Sequence, residues 1–166
     1  MGKVSRVVYA GTFDPVTYGH LDTMDRALAI FDRMTVAVAR SETKAPLFSL
    51  EDRVEMVRGA IRDPSRTEVE GFDGLLVDYI RHKKTCVVLR GLRAYSDFEH
   101  EFQLALTNRK LYEGIRTIFM MPSEEYVHVS SSMVKEIASV GGDVSRFVPE
   151  GVVAYLRKAY GAAGGE

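Results

Sequence analysis

The chain has 166 residues, 46% of them apolar and 27% charged, with a formal net charge of −1 and one cysteine. The length leads us to expect one domain, residues 1–166, with a real core; the near-zero charge argues against a general nucleic-acid coat or a polybasic membrane binder, and a lone cysteine rules out an internal disulfide framework and cysteine-based zinc sites. No apolar run approaches the roughly 18 residues of a membrane span, and the apolar stretch near the N-terminus is a short strand, not a signal-peptide core, so the expectation is a cytoplasmic enzyme or binding protein with no membrane or nucleic-acid partner.

The elements alternate along the chain. Val4–Ala10 reads as a buried first strand. Leu21, Met24, Leu28 and Phe31 mark one face of a first helix at helical spacing. Met34–Ala39 is a second strand, followed by the polar loop RSETKAPLF. Ser49 can cap a second helix whose buried face would be Leu50, Val54, Val57 and Ile61. Thr67–Gly71 is a third strand, and Asp73 or Gly74 opens a helix with Leu75, Leu76, Tyr79 and Ile80 inward. Thr85–Leu89 is a fourth, almost wholly apolar strand, in which Cys86 is expected as a small core residue. A loop leads to a helix from about Asp97 to Tyr112, and Thr117–Met121 is a fifth strand. After the loop PSEEYVHVSS, Ser131 or Ser132 starts a helix that stops at Gly141–Gly142. Pro149 opens a last helix carrying Val152, Val153, Leu156 and Tyr160 inward. Five strands buried on both faces and separated by helices predict an α/β fold: one doubly wound, five-stranded parallel sheet, Rossmann-like, with helices on both faces and a C-terminal helix.

In such sheets ligands bind beyond the carboxyl ends of the strands. The first strand is followed there by Gly11-Thr12-Phe13-Asp14-Pro15, then Thr17 and His20; the second by Lys44; the fourth by Arg90-Gly91-Leu92-Arg93; the fifth by Ser130-Ser131-Ser132 at a helix start. Four strand ends thus deliver donors or cations to one rim, and an anionic ligand with more than one phosphate is the simple reading. Arg90 follows directly on a buried strand, where it must point into a crevice or be paired. Asp97 and Glu101 lie one helical turn apart, within reach of Arg93 or solvent. His20 stands where a helix begins, a place that disfavours positive charge. A neutral imidazole there still donates one N–H, best used where charge builds on phosphorus in a transition state. A phosphate nucleophile is already ionised and needs no general base.

Thr17-Tyr18-Gly19-His20 is the T-x-G-H form of the H-x-G-H signature of the nucleotidylyltransferase superfamily. Together with YAGTFDPVTYGH, RGLR and SSSMVKE it closely resembles the bacterial phosphopantetheine adenylyltransferase family, from about Arg6 to about Leu156. The resemblance implies attack of the phosphate of 4′-phosphopantetheine on the α-phosphorus of ATP with Mg²⁺ assisting, giving dephospho-CoA and pyrophosphate in coenzyme A biosynthesis. It implies the sheet order 3-2-1-4-5, a homohexamer, and coenzyme A as a feedback inhibitor. It assigns His20 to transition-state stabilisation and ATP contact, and Thr12 and Phe13 to ATP, with Thr12 also near the acceptor phosphate. Lys44, Leu76 and Arg90 join Thr12 on the acceptor. Gly91, Leu92, Arg93, Glu101 and the run Tyr126, Val127, His128, Val129, Ser130, Ser131 and Ser132 contact ATP. One departure falls in that run: aromatic-Ser-Phe-aliphatic is the commoner pattern before the serines.

Two other readings use the same residues. A sister nucleotidylyltransferase would take another phosphorylated acceptor, such as glycerol phosphate or nicotinamide mononucleotide. A non-catalytic nucleotide sensor would bind without turnover. A small RNA-binding module would rest on Arg109, Lys110 and Arg116, which read as an ordinary solvated helix face.

Overall fold

The computed structural model describes residues 5–40, 45–83 and 85–161. Five parallel strands lie in the order β3-β2-β1-β4-β5: β1 (Arg6–Gly11), β2 (Arg33–Ala39), β3 (Thr67–Phe72), β4 (Val87–Gly91) and β5 (Arg116–Met120). The order reverses between β1, which pairs with β2, and β4, which pairs with β1 at Val8–Val88 and Tyr9–Leu89. Parallel pairing requires long crossovers, and these are helices: α1 (Tyr18–Leu28), α2 (Leu50–Ala60), α3 (Leu76–Arg81) and α4 (Tyr95–Leu111), followed after β5 by α5 (Ser131–Ser139) and α6 (Glu150–Gly161).

Alternation along β1 divides the core in two. Val7 and Tyr9 face a large cluster with Leu21, Met24, Val57, Val134 and Leu156. Val8 and Ala10 face a smaller one with Val77, Ile80 and Ile115.

Local chemistry moves several boundaries. Thr17 caps α1 and makes a capping box with His20, so the helix begins at Tyr18 rather than Leu21. Ser49 caps α2, accepting from Asp52 N–H at 3.0 Å. Ser130 caps α5, accepting from Met133 N–H at 3.0 Å, which leaves the hydroxyls of Ser131 and Ser132 free of that duty. Leu75 does not turn inward. It is the residue before α3 and is 56% exposed, while Val77 and Ile80 are the buried pair. On α2, Leu50 and Ile61 are half-buried, and Arg53 and Met56 join Val54 and Val57 inside. Cys86 is half-buried rather than a core residue, because β4 starts one residue later. The expected loop after β5 contains a 3₁₀ turn at Glu124–Tyr126. Val4 of the first predicted strand and Lys44 lie outside the described residues.

Candidate active site at the switch in strand order

A cleft of about 400 Å³ opens at the carboxyl ends of β1 and β4, where the strand order reverses. Its floor is the turn after β1. Phe13 there has a left-handed backbone (φ +50°), and the Asp14–Pro15 peptide is cis. A left-handed non-glycine residue costs about 1–3 kcal/mol, and the local packing offsets it. The buried Phe13 ring meets the edges of Tyr9 at 5.3 Å and His20 at 5.0 Å between centroids. Gly11 lies close beneath it, where a Cβ would stand 3.0 Å from that ring and press on it.

The capping box fixes the state of His20. Thr17 N–H donates to Nδ1 at 3.0 Å, so Nδ1 is the unprotonated nitrogen and the proton sits on Nε2. Burial, then the fields of Arg93 and Arg90, push the imidazole pKa down to about 4. Near neutral pH His20 is therefore an uncharged Nε2–H donor on the cleft wall. Beside it, Tyr9 is buried and its hydroxyl is pushed up to about 12 by burial against the pull of Arg90.

Among the described residues three cations, Arg90, Arg93 and Lys135, line the cleft, and each is already paired. Arg90 gives Glu101 two hydrogen bonds, 2.7 Å from Nε and 2.6 Å from Nη2, and its Nη1 donates to Ala10 O. Burial would lower its pKa, but the bonds to Glu101 outweigh that and hold it charged. Arg93 pairs with Asp97 at 3.2 Å and donates to Val129 O, also at 3.2 Å. Lys135 reaches Asp14 at 2.6 Å, and the same carboxylate accepts from Leu47 N–H at 2.9 Å and Phe48 N–H at 3.0 Å. A phosphorylated ligand thus meets donors that are preset by carboxylates rather than a bare positive pocket.

Of the residues expected at the site, Thr12, Phe13, His20, Arg90, Gly91, Arg93, Glu101, Val129, Ser130, Ser131 and Ser132 line this cleft. Ser131 also donates to Pro15 O at 2.8 Å, joining the serine motif to the β1–α1 turn. Leu92, Leu76, Tyr126, Val127 and His128 do not line it. Leu92 N–H bonds Met120 O at 3.0 Å, prolonging the β4–β5 ladder. Leu76 packs on the smaller core cluster. Tyr126 lies against Tyr18, Val127 is exposed, and His128 faces the edge of Phe147. Lys44 lies outside the described residues.

Sequence reasoning missed Lys135 and Asp14, which both line the cleft. Lys135 had a signal: it follows Ser131 by four residues, which places both on one helix face. Among the described residues no group of three or more His, Cys, Asp or Glu side chains forms a metal cluster. The cleft carboxylates Asp14, Glu101 and Asp97 are each committed to a cation. That donor set suits a Mg²⁺ carried on a ligand's phosphate oxygens better than one caged by protein.

The Cytidylyltransferase-like family model matches residues 8–137. The phosphopantetheine adenylyltransferase of Thioalkalivibrio sulfidiphilus is 53% identical over 154 residues, covering 93% of this chain and 97% of that one. The chain belongs to this family. The phosphopantetheine adenylyltransferase of Alkalilimnicola ehrlichii is 51% identical over 92% of this chain and 89% of its own length, and that of Geobacter sulfurreducens 50% over 92% and 93%. Among solved structures, Plasmodium falciparum nicotinic acid mononucleotide adenylyltransferase complexed with NaAD superposes with a TM-score of 0.65 at 16% identity, over 92% of this chain and 94% of that one. At that identity the likeness is one of fold.

Proposed function

We propose that this chain transfers the adenylyl group of ATP to 4′-phosphopantetheine, forming dephospho-CoA and pyrophosphate in coenzyme A biosynthesis. The observation that carries this is identity of 50% or more to phosphopantetheine adenylyltransferases over more than nine-tenths of the chain, joined to a neutral Nε2–H donor on the wall of the switch-point cleft. An acceptor phosphate oxygen forms a bond to the α-phosphorus of ATP while the bond from that phosphorus to the bridging oxygen breaks and pyrophosphate leaves. The attacking oxygen is already ionised, so no residue has to remove a proton. His20 donates Nε2–H to the phosphoryl oxygens as charge develops. Thr12, Lys44 and Arg90 hold and aim the acceptor phosphate, with Leu76 toward its pantetheine arm. Gly91, Arg93, Glu101 and Ser130–Ser132 hold the nucleotide, aided by the segment from Tyr126 to Val129 and by Leu92. Mg²⁺, borne on the triphosphate, supplies charge neutralisation between two anions.

We read the chain as one catalytic domain acting in the cytoplasm; no helix among the described residues is long and apolar enough to cross a membrane. The homohexamer we propose is supported by α4, whose exposed Phe98, Phe102 and Leu106 lie at helical spacing on one apolar face. Coenzyme A carries the product's pantetheine arm and fits the role of feedback inhibitor at the acceptor side. The deciding experiment is an acceptor screen with ATP, scored by pyrophosphate release and product mass. Release with phosphopantetheine and not with glycerol phosphate or nicotinamide mononucleotide supports the reading. Turnover with another acceptor alone, or binding without turnover, refutes it.

A further inference from the structure

Arg53 is only 1% exposed, among the largest fully buried side chains of the protein. It stands on the inward face of α2, where helical spacing calls for an apolar residue. Arginine is almost never buried without partners, and here the partners are main-chain carbonyls. Nη1 donates to Thr12 O at 2.7 Å and to Ala39 O at 2.8 Å; Nε donates to Phe48 O at 3.1 Å and Ser49 O at 3.2 Å. One guanidinium therefore ties three segments together: the turn after β1, the end of β2, and the entry to α2. Ala39 and Phe48 flank, in the chain, the segment that carries Lys44. Asp14 adds a second tie between the same parts through Leu47 N–H and Phe48 N–H.

The carbonyls past the ends of adjacent parallel strands have lost their ladder partners and need donors. A guanidinium supplies several in a fixed plane, whereas an ammonium is a single compact centre. The other side of the cleft, with Gly91, Arg93 and Ser130–Ser132, rises from β4 and α5, whereas the four carbonyls that Arg53 bonds belong to Thr12, Ala39, Phe48 and Ser49.

We propose that Arg53 is a positioning residue for the acceptor half of the cleft: by holding Thr12 and both flanks of the β2–α2 connection, it sets where the acceptor phosphate is gripped. This rests on the assignment of Thr12 and Lys44 to the acceptor made above. Arg53 touches no substrate and acts through those segments.

The test uses the full chain with Arg53→Lys and Arg53→Ala. Steady-state kinetics in phosphopantetheine are set beside calorimetric ATP binding, thermal melting, and rescue of Arg53→Ala by free guanidinium ion. The expected result is a loss of about tenfold or more in kcat/KM for phosphopantetheine, with ATP affinity within about threefold of wild type. Guanidinium should restore acceptor use in Arg53→Ala and not in Arg53→Lys. A parallel fall for both substrates overturns the proposal, and so does a lowered melting temperature with unchanged acceptor kinetics. If Arg53→Ala does not fold, Arg53→Lys decides through the same split, and a wild-type acceptor KM in it is a refutation. Absence of turnover by the wild-type enzyme with phosphopantetheine overturns the acceptor reading itself; turnover by wild type without the split overturns only the role of Arg53.

Discussion

The two sides of the cleft are built differently. On the β2 side the turn after β1 is anchored from below by the buried Arg53 and from the flank by the buried carboxylate of Asp14, which takes two main-chain N–H groups and Lys135. On the β4 side the ties run through ion pairs nearer the rim, Arg90 with Glu101 and Arg93 with Asp97, all of them partly exposed, with one main-chain bond from each arginine, to Ala10 O and Val129 O. α4, which supplies both carboxylates, has no buried side chain among those described, whereas α1 and α2 bury theirs in the larger core. One side is thus fixed by satisfied buried polar groups, which are costly to break. On the other, the half-buried Arg90–Glu101 pair is firm, but Arg93–Asp97 is a pair that solvent screens and that a ligand can rearrange at little cost.

Substitutions on the two sides should therefore fail in different ways. Asp14→Ala is expected to have the largest effect on stability: it leaves the half-buried Lys135 without its partner and two N–H groups without an acceptor, at about 1–3 kcal/mol for each buried donor left unsatisfied. Chemical denaturation checks this, and a loss below about 1 kcal/mol would erase the distinction from a rim pair. His20→Ala comes next. Losing one transition-state donor should lower kcat by about 10²–10³, roughly 2.7–4 kcal/mol, with ATP affinity almost unchanged. An unaltered kcat with a large rise in the ATP KM would remove His20 from that role.

Arg93→Ala sharpens the contrast from the rim side. Its pair with Asp97 is exposed, so stability should change by no more than about 1 kcal/mol. ATP affinity should nevertheless fall more than phosphopantetheine affinity, as titration with each substrate would reveal; equal weakening would misplace Arg93. A further effect is in pH. His20 has a folded-state pKa of about 4, below the unfolded value near 6.5. Between those values the unfolded chain binds the extra proton, so this group's contribution to stability rises with pH through the window, is complete above about 6.5, and is lost as pH falls toward 4. Melting temperatures from pH 4 to 7 should therefore slope less steeply in His20→Ala than in wild type.

Much of the fold was legible because strands buried on both faces announce themselves as apolar runs, and helical spacing marks the elements between them. Order 3-2-1-4-5 came from resemblance, since periodicity says nothing about which strands are neighbours. The gathering of cations and hydroxyls at the cleft was legible in the residues that follow the strands. The carboxylate partnering each cation was less so. Asp97 and Glu101 sit at helical spacing and could be weighed, but Asp14 and Lys135 are 121 residues apart and meet only through the fold. Arg53 was invisible for a related reason: a charged residue at an apolar helical position reads as a break in the pattern, and the carbonyls that make its burial tolerable belong to segments distant in the chain. Leu75 failed differently, because α3 starts one residue after it, and that shift moves the inward face to Val77 and Ile80.

The central position of β1 has a consequence for synthesis. Its two neighbours are made at very different times: β2 follows within about 30 residues, but β4 is the fourth strand of the chain and pairs with β1 across a separation of 80 residues. Until β4 has emerged, the edge of β1 that carries Val8 and Tyr9 lacks its native partner, and any sheet formed from β1, β2 and β3 alone has β1 as an open edge. Closure of that edge waits for β4, the same strand that brings Arg90 to Ala10 O. The turn after β1 is thus translated early and completed late, and the interval between is when the growing chain is most exposed to strand-to-strand association with another copy.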